Sequence, residues 1–440
     1  MQYRNIRINP FLRLIYLLLR FISWAGTSVY YRKRLVLGRK NLRFDGPAIV
    51  VSNHPSTLTD VLNIGLTIRQ EMFFLANYGL FKNPVSNWLL TRLFCIPIKR
   101  KEDVAEGEER DNNSSFEQSF RHLRQNGILF IAPEGYSWMN RFVRPLKTGT
   151  ARIAFGTEAR NHWKTDLKII PIGLSYSQPN HFRSEVVLQA GAPVYPRDWM
   201  EQWQKDPEVA TNQLTEFLEN QLKSLSIHTR DEAGELFITR LETLLKNDDP
   251  LPQQAAFERS QMLTTKYLDD TALQTRVQSY FEQLETLHLS DEGVEAFSSD
   301  QGGVQLMTDG LRIALGFPFF LSGYLTWFLP CFLPWLLAKR LKLYIGYDSN
   351  VKILAGLFTF PLAMWGIFRV FRLWFEAPGA WIGLYCCVIL GFFAERYMDI
   401  LRRFQARQKA ALEAAKDPAG FSRLVQIRDA ILAKLQTDLK

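Results

Sequence analysis

The sequence predicts an α/β domain with a substantial parallel sheet, followed by a helical region and then membrane helices near the C-terminus. Three observations carry that prediction. Short β-type runs alternate with helical patterns from Leu35 to about Pro196; amphipathic helical patterns without strand signals fill residues 197 to about 300; and Leu311 to Ala394 is nearly continuous apolar sequence rich in Phe, Leu and Trp. The averages over 440 residues, 47% hydrophobic and 22% charged, conceal this segregation, since most charges lie before residue 310.

The first element is basic. Arg4, Arg7, Arg13, Arg20, Arg32, Lys33, Arg34, Arg39, Lys40 and Arg43 precede residue 45 with no acidic residue among them. Such a patch fits an anionic membrane surface or nucleic acid. "FLRLIYLLLRFISW" threads Arg13 and Arg20 into an apolar stretch, which favours a helix lying in the headgroup region over residues 1–34, with an amphipathic helix packed on the soluble domain as the alternative, and disfavours a nucleic-acid partner. A signal peptide would have to carry Arg20 in its apolar core and lacks a small-residue cleavage site.

The α/β domain is expected over residues 35–200. Its strand candidates are "PAIVVSN" (47–53), "EMFFLAN" (71–77), "LFCIPIK" (93–99), "GILFIAP" (127–133), "LKIIPIGLSY" (167–176) and "EVVLQAGAPV" (185–194). Several are apolar on both faces, as strands covered by helices on both sides must be. "SSFEQSFRHLRQ" has helical spacing and leads into the fourth run, and "KRKEDVAEGEERDNN" reads as a solvated loop.

A helical appendage follows over 201–305, then a membrane region over 306–400 and a helical tail over 401–440. Within the membrane region Pro318, Pro330 and Pro334 are expected to break a regular helix, leaving block 311–338 re-entrant or spanning. The cleaner spans are about 353–375 and 377–396. Basic "AKRLK" and "RYMDILRRFQARQK" flank this pair, whereas the link "EAPG" has no basic residue, so the pair reads as a hairpin with both ends and the catalytic domain on the cytoplasmic side. Three straight spans are the competing arrangement. The four cysteines, Cys95, Cys331, Cys386 and Cys387, show neither a disulfide framework nor metal-ligand spacing.

His54 and Asp60 stand where an apolar run ends, in "IVVSNHPSTLTD". Pro55 biases His54 away from helix, Ser56 or Thr57 can cap the next helix, and Asp60 falls about one turn in, within reach of the imidazole. A carboxylate so placed fixes an imidazole tautomer and stabilises the imidazolium. No G-x-S-x-G nucleophile motif occurs, so the pair suits activation of a substrate hydroxyl or amine. The pair alone leaves a second reading open, a histidine at the polar end of a buried strand.

Further blocks extend the pattern over about 160 residues. "NHPSTLTD", "FCIPIKR", "APEGYSW", "RPLKTGTARIA" and "IIPIGLS" resemble, in order and spacing, the motifs of the glycerolipid acyltransferase family. The resemblance implies an acyltransferase-type α/β fold and transfer of a fatty acyl group from acyl-CoA or acyl carrier protein, as cosubstrate and with no bound cofactor or metal, to glycerol 3-phosphate or a lysophospholipid in phospholipid biosynthesis. It implies His54 as general base and Asp60 as its orienting partner. Five residues separate the two here, where four are usual, a spacing that points to a glycerol-phosphate-type subset. It implies acceptor binding by Arg100 and by Glu134 with Gly135, and Lys99, Arg141, Arg144 and Lys147 are further cations for a phosphate. Phe94 stands where a glycine is usual, and Tyr136-Ser137 replaces the threonine-arginine that often follows Gly135. Two other outcomes remain in view: a non-catalytic membrane scaffold of the same fold, or an enzyme acting on another lipid alcohol or amine.

Overall fold

The computed structural model describes residues 10–92, 94–100, 112–298 and 302–439; Arg4, Arg7 and most of the expected solvated loop lie outside them. The chain divides into two compact units, Met1–His228 with Lys342–Ile353, and Thr229–Leu341 with Leu354–Lys440.

The first unit runs α1 (Pro10–Tyr30), β1 (Lys33–Leu37), β2 (Ala48–Ser52), α2 (Leu58–Thr67), β3 (Met72–Asn77), α3 (Pro84–Arg92), β4 (Cys95–Ile98), α4 (Asn113–Arg124), β5 (Ile128–Ile131), α5 (Gly149–Ala159), β6 (Lys168–Tyr176), β7 (Glu185–Ala190), α6 (Met200–Lys205) and α7 (Pro207–Leu225). Its sheet has the order β1-β7-β6-β2-β5-β3-β4, parallel at every pairing except β6 with β7. All six runs expected from the sequence are strands. Strand β1 was not foreseen: it is a five-residue edge strand that opens on Lys33 and Arg34, so it has no apolar run to announce it.

Alternation of side chains builds a core on each face of the central strands. Ile49, Val51, Leu129 and Ile131 point to one side, with Phe155 of α5 and Leu214 and Leu218 of α7. Val50, Phe130, Ile170 and Ile172 point to the other, with Ile64 of α2 and Ile353. This is why the strands read as continuous apolar runs.

The arginines of α1 turn out differently from the expected headgroup contacts. The Arg20 guanidinium donates to the carbonyls of Ile68 (2.6 Å), Leu66 (3.1 Å) and Arg69 (3.3 Å), satisfying the C-terminal end of α2, and Arg13 pairs with Glu71 at 2.9 Å. Orphan carbonyls at a helix end hold a cation better than solvent does, so these charges face the domain. Phe11, Leu14, Leu17, Leu18, Phe21 and Trp24 form the outward face.

The second unit is helical: α8 (Glu232–Asp248), α9 (Gln253–Tyr267), α10 (Thr271–Thr286), α11 (Asp291–Ser298), α12 (Gly302–Leu341), most of α13 (Asp348–Phe371), α14 (Ala377–Lys416) and α15 (Pro418–Leu439). The expected appendage thus divides at His228. Helix α7 belongs to the sheet unit, whereas α8 to α11 share a core with α14 and α15. At its centre the buried Asp291 carboxylate accepts from Tyr280 Oη at 2.7 Å and Arg428 Nε at 3.0 Å.

The prolines do not break α12, which is one helix through Pro318, Pro330 and Pro334. Pro334 has no N–H for the carbonyl of Pro330, and that freed carbonyl accepts from Thr359 Oγ1 at 3.0 Å. Where apolar neighbours exclude water, unravelling would expose more polar groups than three prolines do. Among the described residues, four helices are long and apolar enough to cross a bilayer, at Pro10–Tyr30, Gly303–Leu341, Ile345–Phe371 and Ala377–Lys416.

Replacing Arg20 by Ala strips three carbonyls at the end of α2 of their donor. Thermal unfolding of the full chain in detergent should show a loss of about 2 kcal/mol, and an unchanged midpoint would contradict the capping role.

Candidate active site

Strands β2 and β5 are parallel neighbours in register Val51↔Ile131, so the turns leaving their C-terminal ends lie side by side. The first turn carries His54 into α2, and the second carries Pro133, Glu134 and Gly135. Gly135 sits at φ +81°, a conformation that a side chain rarely adopts. Sequence separation of some 80 residues is thereby reduced to direct contact.

The main chain of His54 is held on both sides by that second turn. Its N–H donates to Glu134 Oε1 at 3.1 Å, and its carbonyl accepts from Trp138 N at 3.1 Å. Asn53 anchors the turn from the opposite direction: its side chain donates to Leu174 O (2.9 Å) and accepts from Leu174 N (2.7 Å), continuing the β2–β6 ladder by one more rung.

His54 Nδ1 lies 2.9 Å from Asp60 Oδ2. The approach is short but not well aligned for a hydrogen bond, a common state of such pairs before substrate binds. The imidazole keeps 16% of its surface exposed, whereas the carboxylate has none. Buried charge requires donors, and Asp60 has them: Ser56 N to Oδ2 at 2.7 Å and Tyr176 Oη to Oδ1 at 2.7 Å. Burial and the Asp60 charge hold the Tyr176 phenol far above its ordinary range, so it remains a donor. Behind it Asn63 Nδ2 reaches Tyr176 Oη at 3.2 Å, and Arg34 donates to Asn63 Oδ1 at 3.2 Å.

Tyr176, Asn63 and Arg34 were not foreseen. Tyr176 ends the strand "IIPIGLSY", whose Pro171 had marked a motif, so a scan of strand ends would have raised it. Nothing in sequence spacing points to Asn63 or Arg34.

The expected cations do not form one cluster. Arg100 and Lys147 flank the ring of Tyr136, at 4.5 and 5.0 Å from its centroid. Arg144 lies over Trp138 at 4.0 Å, with its Nε buried and unpaired among the described residues, while Lys99 Nζ stands over Tyr78 at 5.3 Å. Glu134 contacts main chain at both oxygens, its Oε2 facing Arg144 N at 3.5 Å. Phe94 adopts φ +65°, which explains why glycine is usual there; its ring fills the core against Tyr16 and Phe73 instead. A cleft of about 580 Å³ between α4, α5 and α7, lined by Phe116, Phe155, Trp203, Arg152 and Arg160, contains none of these residues.

The Ser56 and Ser137 hydroxyls accept hydrogen bonds from the turn and the start of α2. Ser56 Oγ accepts from Thr59 Oγ1 at 2.7 Å, and Ser137 Oγ accepts from Thr57 N at 2.9 Å.

Residues 33–175 match the family model described as Acyltransferase. Glycerol-3-phosphate O-acyltransferase 2 of Saccharomyces cerevisiae is 30% identical over 195 residues, 42% of this chain and 26% of that protein. Glycerol-3-phosphate O-acyltransferase 1 of the same yeast is 32% identical over 116 residues, 26% of this chain and 15% of that protein. The chloroplastic 1-acyl-sn-glycerol-3-phosphate acyltransferase BAT2 of Brassica napus is 28% identical over 153 residues, 34% of this chain and 40% of that protein. The chain therefore spans about a quarter, or less, of the yeast proteins it matches. A solved structure, the 1-acyl-sn-glycerophosphate acyltransferase of Thermotoga maritima, aligns at 18% identity and a TM-score of 0.36 over 49% of this chain and 80% of that one.

Burial pushes the Glu134 carboxyl up from 4.5 to about 7, partly offset by the main-chain N–H groups of His54 and Arg144. Between those values the folded chain holds a proton that the unfolded chain has released, so stability falls as pH rises through the window and levels off above about 7. Relative to Glu134→Gln, the wild type should lose on the order of 3 kcal/mol between pH 4.5 and 7. Parallel unfolding curves in detergent check this; a constant difference would contradict it.

Proposed function

We propose that this chain, whose residues 33–175 are a domain of the glycerolipid acyltransferase family, is a membrane-bound O-acyltransferase of phospholipid biosynthesis. It moves a fatty acyl group from acyl-CoA or acyl carrier protein to glycerol 3-phosphate or a lysophospholipid. The observation that carries the reading is the 2.9 Å approach of His54 to a fully buried Asp60 at the ends of parallel strands.

The assigned chemistry follows from the imidazole–carboxylate pair. The carboxylate favours the tautomer with its proton on Nδ1, which leaves Nε2 as the base. With the sequence lacking a G-x-S-x-G nucleophile motif, the imidazole is assigned to act directly on the acceptor's hydroxyl, which supplies the attacking oxygen. His54 takes the hydroxyl proton as that oxygen adds to the thioester carbonyl. The tetrahedral intermediate then collapses, the C–S bond breaks, and the imidazolium returns the proton to the leaving thiolate. Asp60 stabilises the imidazolium throughout.

Arg100 and Lys147, presented by the Tyr136 ring, and Arg144 on Trp138 are the cations assigned to the acceptor phosphate. Arg144 stands in for the arginine absent after Gly135, its buried Nε supplying a donor without a protein partner among the described residues. Glu134 serves as a brace between the His54 turn and the 143–147 segment, with Gly135 forming the turn. Lys99 is assigned to the rim of the acceptor site.

For sidedness the reading rests on charge: the basic stretches "AKRLK" and "RYMDILRRFQARQK" flank the α13–α14 pair, whose link "EAPG" has no basic residue, so the pair is read as a hairpin with both ends, and the catalytic domain, on the cytoplasmic side.

Purified full-length protein should acylate glycerol 3-phosphate or a lysophospholipid in detergent micelles. His54→Ala should lower kcat by at least about a thousandfold, and full activity in that variant would overturn the mechanism. Absence of transfer to every acceptor by a membrane-associated wild type would favour a scaffold. Arg100→Ala, Arg144→Ala and Lys147→Ala should each raise KM for a phosphorylated acceptor about tenfold, leaving KM for the acyl donor unchanged; equal effects on both would place these cations elsewhere.

A further inference from the structure

Residues 342–353 follow α12 in sequence yet belong to the unit that carries His54. They touch the His54 turn at several points. Thr57 Oγ1 donates to Gly346 O at 2.9 Å and accepts from Asn350 Nδ2. Ser349 Oγ lies 3.2 Å from Ser56 Oγ, and Tyr344 Oη donates to Ser137 O at 3.1 Å. Gly346 permits the approach, because a Cβ there would stand 3.3 Å from Thr57 Cγ2 and 2.6 Å from the Tyr344 ring. Ser349 and Asn350 are buried, and Ile353 is anchored in the core beneath.

Thr57 needs such support. It stands midway between His54 and Asp60 at φ +46°, a conformation that a β-branched residue adopts only under constraint. Its main-chain N–H is taken by Ser137, so both its backbone and its hydroxyl are fixed from outside the turn. Asn350 bears a cost of its own, since its Oδ1 is buried with no partner among the described residues. A side chain that leaves an acceptor orphaned contributes little net stability. Its donor on Thr57 is what the fold gains from it.

We infer that Tyr344–Asn350 is a strap that holds the His54–Asp60 turn in its reacting conformation, with Asn350 a positioning residue that acts through Thr57. The inference rests on the acyltransferase reading for its kinetic consequences and on geometry alone for the strap. Five residues between His54 and Asp60 leave Thr57 in a strained place, and the strap is the external restraint that makes one conformation prevail.

The test uses full-length protein with Asn350→Ala, Thr57→Val and the double variant. Each single change should lower kcat about tenfold, the scale of one lost hydrogen bond, with KM for donor and acceptor within about twofold. The double variant should be no slower than the slower single, because both remove the same bond. Independently of turnover, carbethoxylation of His54 by diethyl pyrocarbonate, followed by mass spectrometry, should quicken severalfold in both singles as the turn loosens. Wild-type kcat and wild-type carbethoxylation in Asn350→Ala would overturn the strap. A rise in KM alone would make Asn350 a substrate contact instead, and additive losses would sever it from Thr57. Should the wild type transfer no acyl group to any acceptor, the functional reading fails, and the carbethoxylation rates still decide the strap. Should Asn350→Ala fail to fold, the same two measurements on Thr57→Val decide it.

Discussion

The parallel pairing of β2 with β5 is the constraint on which the rest of the site depends. Parallel neighbours end on the same edge of a sheet, so the turns that follow them are forced together whatever their separation in sequence. One turn brings an imidazole and the other a carboxylate that holds the imidazole's own main chain. Burial on both faces keeps the two strands from slipping, because a shift by one residue would exchange the two cores.

Two buried carboxylates stand near this imidazole and are treated in opposite ways. Asp60 has strong donors in a main-chain N–H and a tyrosine that retains its proton, with the imidazole 2.9 Å away. Glu134 has two longer main-chain contacts, and burial dominates it. The first is fixed by its donors beside the imidazole. The second is suited to a brace, whose work depends on geometry and not on charge.

Much of the fold was legible because its strands are apolar on both faces and its appendages change composition abruptly. All six expected strands formed, and His54, Asp60, Glu134 and Gly135 came together as the motif order implied. Errors arose where one residue type serves two ends. Arg20 reads as part of a headgroup-level helix from its apolar neighbours but caps α2, and the prolines of α12 read as breaks although the helix runs through them, Thr359 meeting the carbonyl that Pro334 frees. Strand β1 was missed because an edge strand needs little apolar sequence.

By itself the sequence determined the residue types of the candidate site and their short spacings: an imidazole with a carboxylate one turn on, a Pro-Glu-Gly turn, nearby cations, and apolar blocks of bilayer length. Those are properties of residue types and short spacings, which local rules can read. Only the tertiary structure decided what holds the pair still. Tyr176 lies 116 residues from Asp60 and the Asn350 donor lies 293 residues from Thr57. No periodicity connects positions so far apart; their proximity exists only once the sheet has formed and the segment after α12 has packed against it.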